Sequence, residues 1–238
     1  MKQLKAILAA SMTLLVMVCF VSCLDDNDDN ANSVNYPNAL VTLKSTSNGL
    51  FYMQLDDSTV LIPTNYNSSP YQNKELRALV NYTISNKESQ SQSGHYAKSV
   101  YVNWIDTIRT KDMAPNLGDK NATVYGTAPL EIVNDWTTIV EDGYLTLRFR
   151  TYFGGQAAHT LNLVKTSNPY EVELYHNANG DTSQGVVRDG IIAFRLDQLP
   201  DTEGKTVDLT VKWKSFSGDK SVKFKYCTRK NNTLPFSF

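Results

Sequence analysis

Cysteine is scarce in this chain: 238 residues hold three. Two of them, Cys19 and Cys23, lie in the leader and at its end, so Cys227 stands alone in the body. No disulfide can form there, and stability has to come from buried apolar surface. Histidine is equally thin, with His95, His159 and His176 scattered along the chain. There is no GxSxG, HExxH, phosphate-cradling glycine loop or CxxC, which removes the sequence signatures of serine hydrolases, zinc proteases, P-loop enzymes and dithiol redox proteins. Neither sign of charge dominates, Lys+Arg being 23 against Asp+Glu 24, and nucleic acid is disfavoured as a partner. Sustained helical periodicity is also missing beyond the leader.

The leader itself is explicit. Met1-Lys2-Gln3-Leu4-Lys5 is a short basic start, and Ala6 to Val21 is apolar apart from Ser11 and Thr13. That is the n-region and h-region of a secretory signal, too short and wrongly flanked for a spanning helix. Ser22 directly before Cys23 supplies the small residue that lipoprotein processing needs, whereas Cys19 follows the branched Val18. The expectation is cleavage after residue 22 and acylation of Cys23, which would tie the chain to a membrane with enough acyl chains for stable anchoring. An ordinary cleaved signal followed by a chance cysteine is the bland alternative. Lys2 and Lys5 leave with the leader, so 23 basic residues become 21 and the remainder is slightly acidic. Asp25, Asp26, Asp28 and Asp29 among Asn and Ser make residues 23–36 a disordered acidic tether. Such acidic residues after a lipidated cysteine also resemble the export signal of surface-exposed outer-membrane lipoproteins.

From Leu40 onward the pattern is β. Short strands are expected at 40–44, 50–55, 59–63, 76–84 and 99–105, the fourth with strict alternation of Leu76, Ala78, Val80, Tyr82 and Ile84. Five short strands within about seventy residues suit a small closed barrel of OB type over 37–115. Residues 111–129, with Pro115, Gly118, Gly126 and Pro129, are expected to connect two domains. The second half, 116–238, has strands around 136–140, 144–150, 160–165, 170–175, 190–196, 206–214 and 221–228, joined by turns such as Glu141-Asp142-Gly143. Leu145, Leu147 and Phe149 should face inward, and Thr146, Arg148 and Arg150 should face water. The fold class is all-β, an N-terminal OB-like barrel followed by an antiparallel β-sandwich.

The chain resembles the NigD-like family of bacterial lipoproteins. The resemblance rests on Cys23 with its acidic sequel, on Asn134-Asp135-Trp136 with Glu141-Asp142-Gly143-Tyr144, on Asn168-Pro169-Tyr170-Glu171 with His176 to Asp181, and on Leu209-Thr210-Val211-Lys212-Trp213. It implies an OB-like domain plus a β-sandwich, a loose link with bacteriocin clusters, and no catalytic residues.

Chemistry is sparse. His159 and His176 flank neighbouring strands, and with Glu171 or Glu173 a zinc site is conceivable, although the spacing is not that of a zinc motif. Asn177-Ala178-Asn179-Gly180-Asp181 has a faint calcium-loop look that an Asn-Gly turn explains more simply. No nucleophile, base and acid assemble, so neither enzyme activity nor a cofactor is expected. Two surfaces remain. In the last hairpin, Lys212, Lys214, Lys223 and Lys225 fall on one face, opposite Val207, Leu209, Val211 and Trp213. They form a basic patch for lipid phosphates, an acidic glycan or an acidic partner, or else protect an edge strand. Cys227 keeps the outward parity, as a partly exposed thiol or as a small core residue after a bulge. In the barrel, Tyr52, Tyr82 and Tyr101 are candidates for a stacking platform, or for core. The function expected is a lipid-anchored accessory module that binds an envelope protein or glycan. The alternative is a structural or bacteriocin-immunity protein of the envelope.

Overall fold

The computed structural model describes residues 33–85, 90–92, 94–155, 157–181 and 185–229. The leader, Cys23 and the acidic residues of the tether lie outside the described residues. At the end of the tether segment, the carbonyl of Val34 accepts the Trp104 indole N–H (2.5 Å) and that of Tyr36 accepts an Asn81 amide N–H (2.7 Å).

The first sheet contains β1 (Ala39–Ser45), β2 (Phe51–Gln54), β3 (Thr59–Pro63), β4 (Leu76–Ile84), β5 (Gln90–Gln92) and β6 (His95–Thr107). Its order is β3-β2-β1-β4-β6-β5, and a parallel pairing of β3 with β6 closes five strands into a barrel. The inward positions Val41, Leu43, Phe51, Met53, Leu61, Val80, Val100 and Val102 form its core. Local chemistry sets the corners. Asp56 Oδ1 accepts the Ser58 and Thr59 backbone N–H groups at 2.8 and 2.7 Å, an Asx turn that starts β3. Opposite Asn81 and Tyr82 the register slips, leaving Asn103 as the extra residue of a bulge that helps the barrel curve.

Strand β7 (Arg109–Lys111) follows β6 with only Ile108 between. Next come a 3₁₀ turn (Gly118–Lys120), α1 (Asn121–Tyr125), β8 (Glu131–Val133), β9 (Ile139–Glu141), β10 (Tyr144–Phe153), β11 (Thr160–Lys165), β12 (Glu171–Asn177), β13 (Val186–Arg195), β14 (Val207–Ser215) and β15 (Gly218–Tyr226). One sheet runs β7-β13-β10-β8 with β9 also on β10; the other runs β11-β12-β14-β15. Leu145, Leu147, Ile192 and Phe194 of the first sheet meet Leu163, Val172, Leu209 and Val211 of the second. Asp142 (φ 48°) and Gly143 (φ 76°) form the two-residue β9–β10 turn, whose paired positive φ angles match strand twist.

Two expectations need correction. Residues 111–129 do not run between domains: Met113 sits in the sandwich core, and the Ala114 N–H donates to Leu163. Thr146 does not face water but is fully buried, because the barrel covers that end of the β10–β13 face. There Leu40 and Leu79 of the barrel pack on Ile139, Ile191 and Ala193. Beside them Arg77, 0 % exposed on β4, donates to Thr42 (3.0 Å), Thr146 (3.3 Å) and Glu141 (3.1 Å). Burial raises the Glu141 carboxyl pKa even though Arg77 pulls the other way. Nearby, Lys44 of the barrel holds Asp142 at 2.8 Å, and Glu75 takes the Tyr144 hydroxyl and the Arg229 guanidinium.

Candidate binding groove beside the lysine hairpin

Strands β12 and β14 run parallel and stay in register from Glu171↔Thr210 to Leu174↔Trp213, where the pairing stops. Beyond that point they diverge, and the segment after α1 enters between them. The Ala128 N–H donates to the His176 carbonyl at 2.8 Å, and the Leu130 N–H donates to that of Lys214 at 3.1 Å. Only glycine fits at position 126. Its φ is +84°, and a Cβ there would stand 2.7 Å from Asn177 Cα and from the His176 carbonyl oxygen. The result is a groove of about 540 Å³ between the helix and the last hairpin, lined among others by Thr127, Glu173, Tyr175, Lys214 and Ser221. On its wall the Tyr175 hydroxyl donates to Glu173 at 2.8 Å, and the Tyr125 ring lies 6.0 Å away. Burial first, and then the Glu173 carboxylate, push the Tyr175 phenol up to about 12.

The four lysines stand on one face of the hairpin, which turns through Phe216 and Ser217 rather than through 217–220. The expected like-charge crowding is absent because the register interleaves acids. Lys225 lies opposite Asp208 and Lys214 opposite Asp219, while Lys212 and Lys223 face Ser221 and Thr210. Lys225 reaches Asp208 at 2.7 Å, Lys223 the same carboxylate at 3.7 Å, and Lys212 reaches Glu171 at 2.9 Å. These contacts hold Asp208 and Glu171 below the usual carboxylate range, through Lys225 and Lys212 respectively. Lys220 binds Glu131 at 2.9 Å. All four are exposed, and Lys214 is the one that makes no ion pair among the described residues.

Behind the groove the two histidines do meet. His159 Nδ1 is 2.9 Å from His176 Nε2, His159 Nε2 is 3.1 Å from Asp181, and His176 Nδ1 is 3.2 Å from the Ala128 carbonyl. With its Nδ1 proton directed at the Ala128 carbonyl, a neutral His176 leaves Nε2 as the acceptor toward His159. Phe153 stacks on His159 at 4.4 Å, and the Gly154 N–H donates to Asp181 at 2.7 Å. Burial, then the neighbouring His159, lower the His176 pKa to about 4. Glu171 and Glu173 point to the other side of β12, toward Lys212 and Tyr175, so the imagined zinc set is not assembled. Among the described residues no group of three candidate ligands is arranged for a metal. Asp181 is the partner that sequence reasoning missed. It lies in the Asn177–Asp181 turn, with Asn179 (φ 50°) and Gly180 (φ 87°) at the corner, and only the folded chain carries it back to His159.

The barrel tyrosines do not form one platform. Tyr52 is buried with Val60 and Ala97 on the side opposite Phe51 and Met53; burial, then the charges of Asp142 and Glu75, raise its pKa. Tyr82 packs against the barrel core, while Tyr101, 54 % exposed, points away from Val100 and Val102. Cys227 is half-buried, its Sγ 3.6 Å from the Thr202 hydroxyl.

Comparison with known proteins follows the same two-part division. The NigD-like N-terminal OB domain matches residues 40–108, and the NigD-like C-terminal beta sandwich domain matches residues 112–226. A crystal structure from Parabacteroides distasonis, described as a candidate toxin-related protein, is 37% identical with TM-score 0.66, covering 80% of this chain and 92% of that one. A NigD-like immunity protein from Bacteroides caccae is 20% identical with TM-score 0.54, covering 79% and 96%. A candidate lipoprotein from Bacteroides fragilis is 13% identical with TM-score 0.52, covering 81% and 98%. At these last two identities the likeness is one of fold. No curated protein matches. With a closed OB barrel welded to a β-sandwich, both family domains matched in order and a relative aligned over most of its length, this chain belongs to the NigD-like family.

Proposed function

We propose that the protein is a non-enzymatic lipoprotein of the cell envelope, anchored through Cys23 at the outer membrane and displayed at the cell surface, where its sandwich binds an envelope protein or glycan. The observation that carries this reading is the groove beside the last hairpin. It brings together Lys214, which makes no ion pair among the described residues, a tyrosine–glutamate pair and hydroxyls, while the other polar clusters serve the fold: Arg77 joins the two domains, and His159 is enclosed by His176, Asp181 and Phe153. The lipoprotein description of the B. fragilis neighbour supports the location. Crosslinking on intact cells that express the lipidated protein, followed by pull-down and mass spectrometry, tests it. The comparison is a variant with Lys212, Lys214, Lys223 and Lys225 changed to Glu. The expected result is a cell-surface partner captured by the native chain and lost from the variant; capture that ignores the charge reversal overturns it.

A second reading, immunity of the producing cell to a toxin, takes its support from the descriptions of the B. caccae and P. distasonis neighbours. A deletion strain whose sensitivity to neighbouring cultures is unchanged counts against it.

A further inference from the structure

We infer that the open edge of β13, at Val187 and Asp189, takes up an extended segment of a partner protein as an added antiparallel strand. This goes beyond the groove reading and concerns the other sheet of the sandwich. The main-chain geometry carries it. The Arg148 N–H donates to the Thr138 hydroxyl on the β8–β9 side of β10, so Arg148 turns its peptide groups away from β13. An antiparallel ladder alternates bonded and non-bonded pairs. Val187, Asp189 and Ile191, opposite Tyr152, Arg150 and Arg148, therefore turn their own peptide groups away from β10. The Leu196 N–H, which donates to the Gly143 carbonyl, keeps the same phase at the other end of the run. On that outer side β7 meets β13 only at Ile192, Ala193 and Phe194. Val187 and Asp189 thus hold two N–H and two C=O groups at an edge with no backbone partner among the described residues. Such a row at two-residue spacing is matched by another extended chain.

Both outer strands of the facing sheet are covered or guarded. Along β11 the Ala114 N–H donates to the Leu163 carbonyl and the Asn116 amide to that of Lys165. Strand β15 carries Lys223 and Lys225, a common protection of an edge. The open part of β13 shows apolar side chains instead, Val186 being 61 % and Val187 49 % exposed. It is also held straight. Gly154 and Gly185 pack backbone to backbone, with no room for a Cβ on Gly185, and the Gly154 N–H donates to Asp181. On the outer face Val187 stands opposite Tyr152, whose ring meets Phe216 at 5.2 Å, so an added strand finds apolar surface there. A second copy of this chain is disfavoured as the occupant. A two-fold antiparallel pairing that uses both Val187 and Asp189 sets the exposed Arg188 directly against its own copy, and like charges there repel. Asp189 offers no relief, being held by Arg148 and Arg150. Arg188 instead selects a partner segment of different sequence, with an acidic residue opposite it.

The test uses the full lipidated chain in nanodiscs, titrated by calorimetry with the acetylated, amidated pentapeptide Val-Thr-Glu-Val-Thr, whose glutamate comes opposite Arg188. Hydrogen exchange of the 186–191 segment is followed by mass spectrometry. Expected are saturable binding, slowed exchange of that segment, and at least tenfold weaker binding when the two residues flanking the glutamate are N-methylated. Val187→Pro removes an edge N–H without touching the ladder to β10, so it should keep its Tm and lose binding at least tenfold. Arg188→Glu should weaken the glutamate peptide and restore binding of a lysine counterpart, which decides the matter if the proline variant fails to fold. No binding at millimolar peptide, equal binding of the N-methylated form, or a charge exchange at position 188 without effect overturns the inference. A concentration-dependent dimer lost in Val187→Pro would assign the edge to a second copy and overturn the choice of partner. Changing the four hairpin lysines to Glu should leave peptide binding intact, so the groove reading and this one fail separately.

Discussion

At His176 the fold holds an imidazole neutral by surrounding it: Leu174 and Val172 precede it on an inward-facing strand, His159 occupies Nε2, and the Ala128 carbonyl occupies Nδ1. The consequence is a pH dependence with a definite sign. The His176 pKa falls from the ordinary 6.5 to about 4 in the folded chain. Between those values the unfolded chain binds a proton that the folded one does not, so stability falls as pH is lowered through that window. Partial screening leaves an effect of about 1–2 kcal/mol, which for a chain of this size moves Tm by roughly 2–8 °C. Thermal denaturation from pH 7.5 to 4.5 should show this slope in the native chain and a shallower one in His176→Asn. An identical slope in both would assign the acid sensitivity to carboxylates such as Glu75 or Asp135, whose pKa values the fold lowers. The sequence placed both histidines beside neighbouring strands and offered only Glu171 or Glu173 as a nearby third ligand. Strand parity already argued otherwise: on β12, even-numbered His176 faces inward and the odd-numbered glutamates outward.

Among the elements, the β14–β15 hairpin was the most legible. Alternation alone placed its lysines on one face and Leu209, Val211 and Trp213 in the core. What alternation does not encode is the cross-strand register, which seats Asp208 beside two lysines and brings Glu171 of β12 to a third. The groove was not legible, because it exists where β12 and β14 separate and a segment some fifty residues earlier enters the gap. Its hinge is Gly126, which the sequence marked only as a linker glycine. Gly126→Ala combines a left-handed φ with backbone contacts at 2.7 Å, and should cost about 2–4 kcal/mol. Urea denaturation measures it; a loss under 1 kcal/mol would mean that the segment can withdraw from β12 without penalty. Gly180→Ala, at φ +87° with open space around it, should cost less, since only the φ strain remains.

For the whole molecule, the decisive feature is that the barrel and the sandwich share an interface both apolar and ionic. Leu40 and Leu79 cover Ile139 and Ile191, and Arg77 reaches from β4 to Thr146 and Glu141. The two domains should therefore unfold in one calorimetric transition. Arg77→Met removes the partner of a largely buried carboxylate and leaves three acceptors short of a donor, at a cost of about 3 kcal/mol. Two separated transitions in the native chain, or a variant as stable as the parent, would show the barrel and sandwich to be independent beads. The sequence placed an interdomain connection at about 111–129, because Pro and Gly at 115, 118, 126 and 129 look alike in a linker and in a packed excursion.

The sequence by itself determined the all-β class, the two-part order, the family and the facing of most strands. These follow from period-two alternation, turn residues and local motifs, which are properties of neighbours along the chain. Only the tertiary structure decided that Thr146 and Arg77 are buried, that Asp181 completes the histidine pair, that Asp208 and Glu171 pair with three of the four hairpin lysines, and that Glu173, Tyr175 and Lys214 line one groove. Each of those is a contact between residues tens of positions apart, and each depends on strand register and domain docking. A shift of one residue would send every such side chain to the other face.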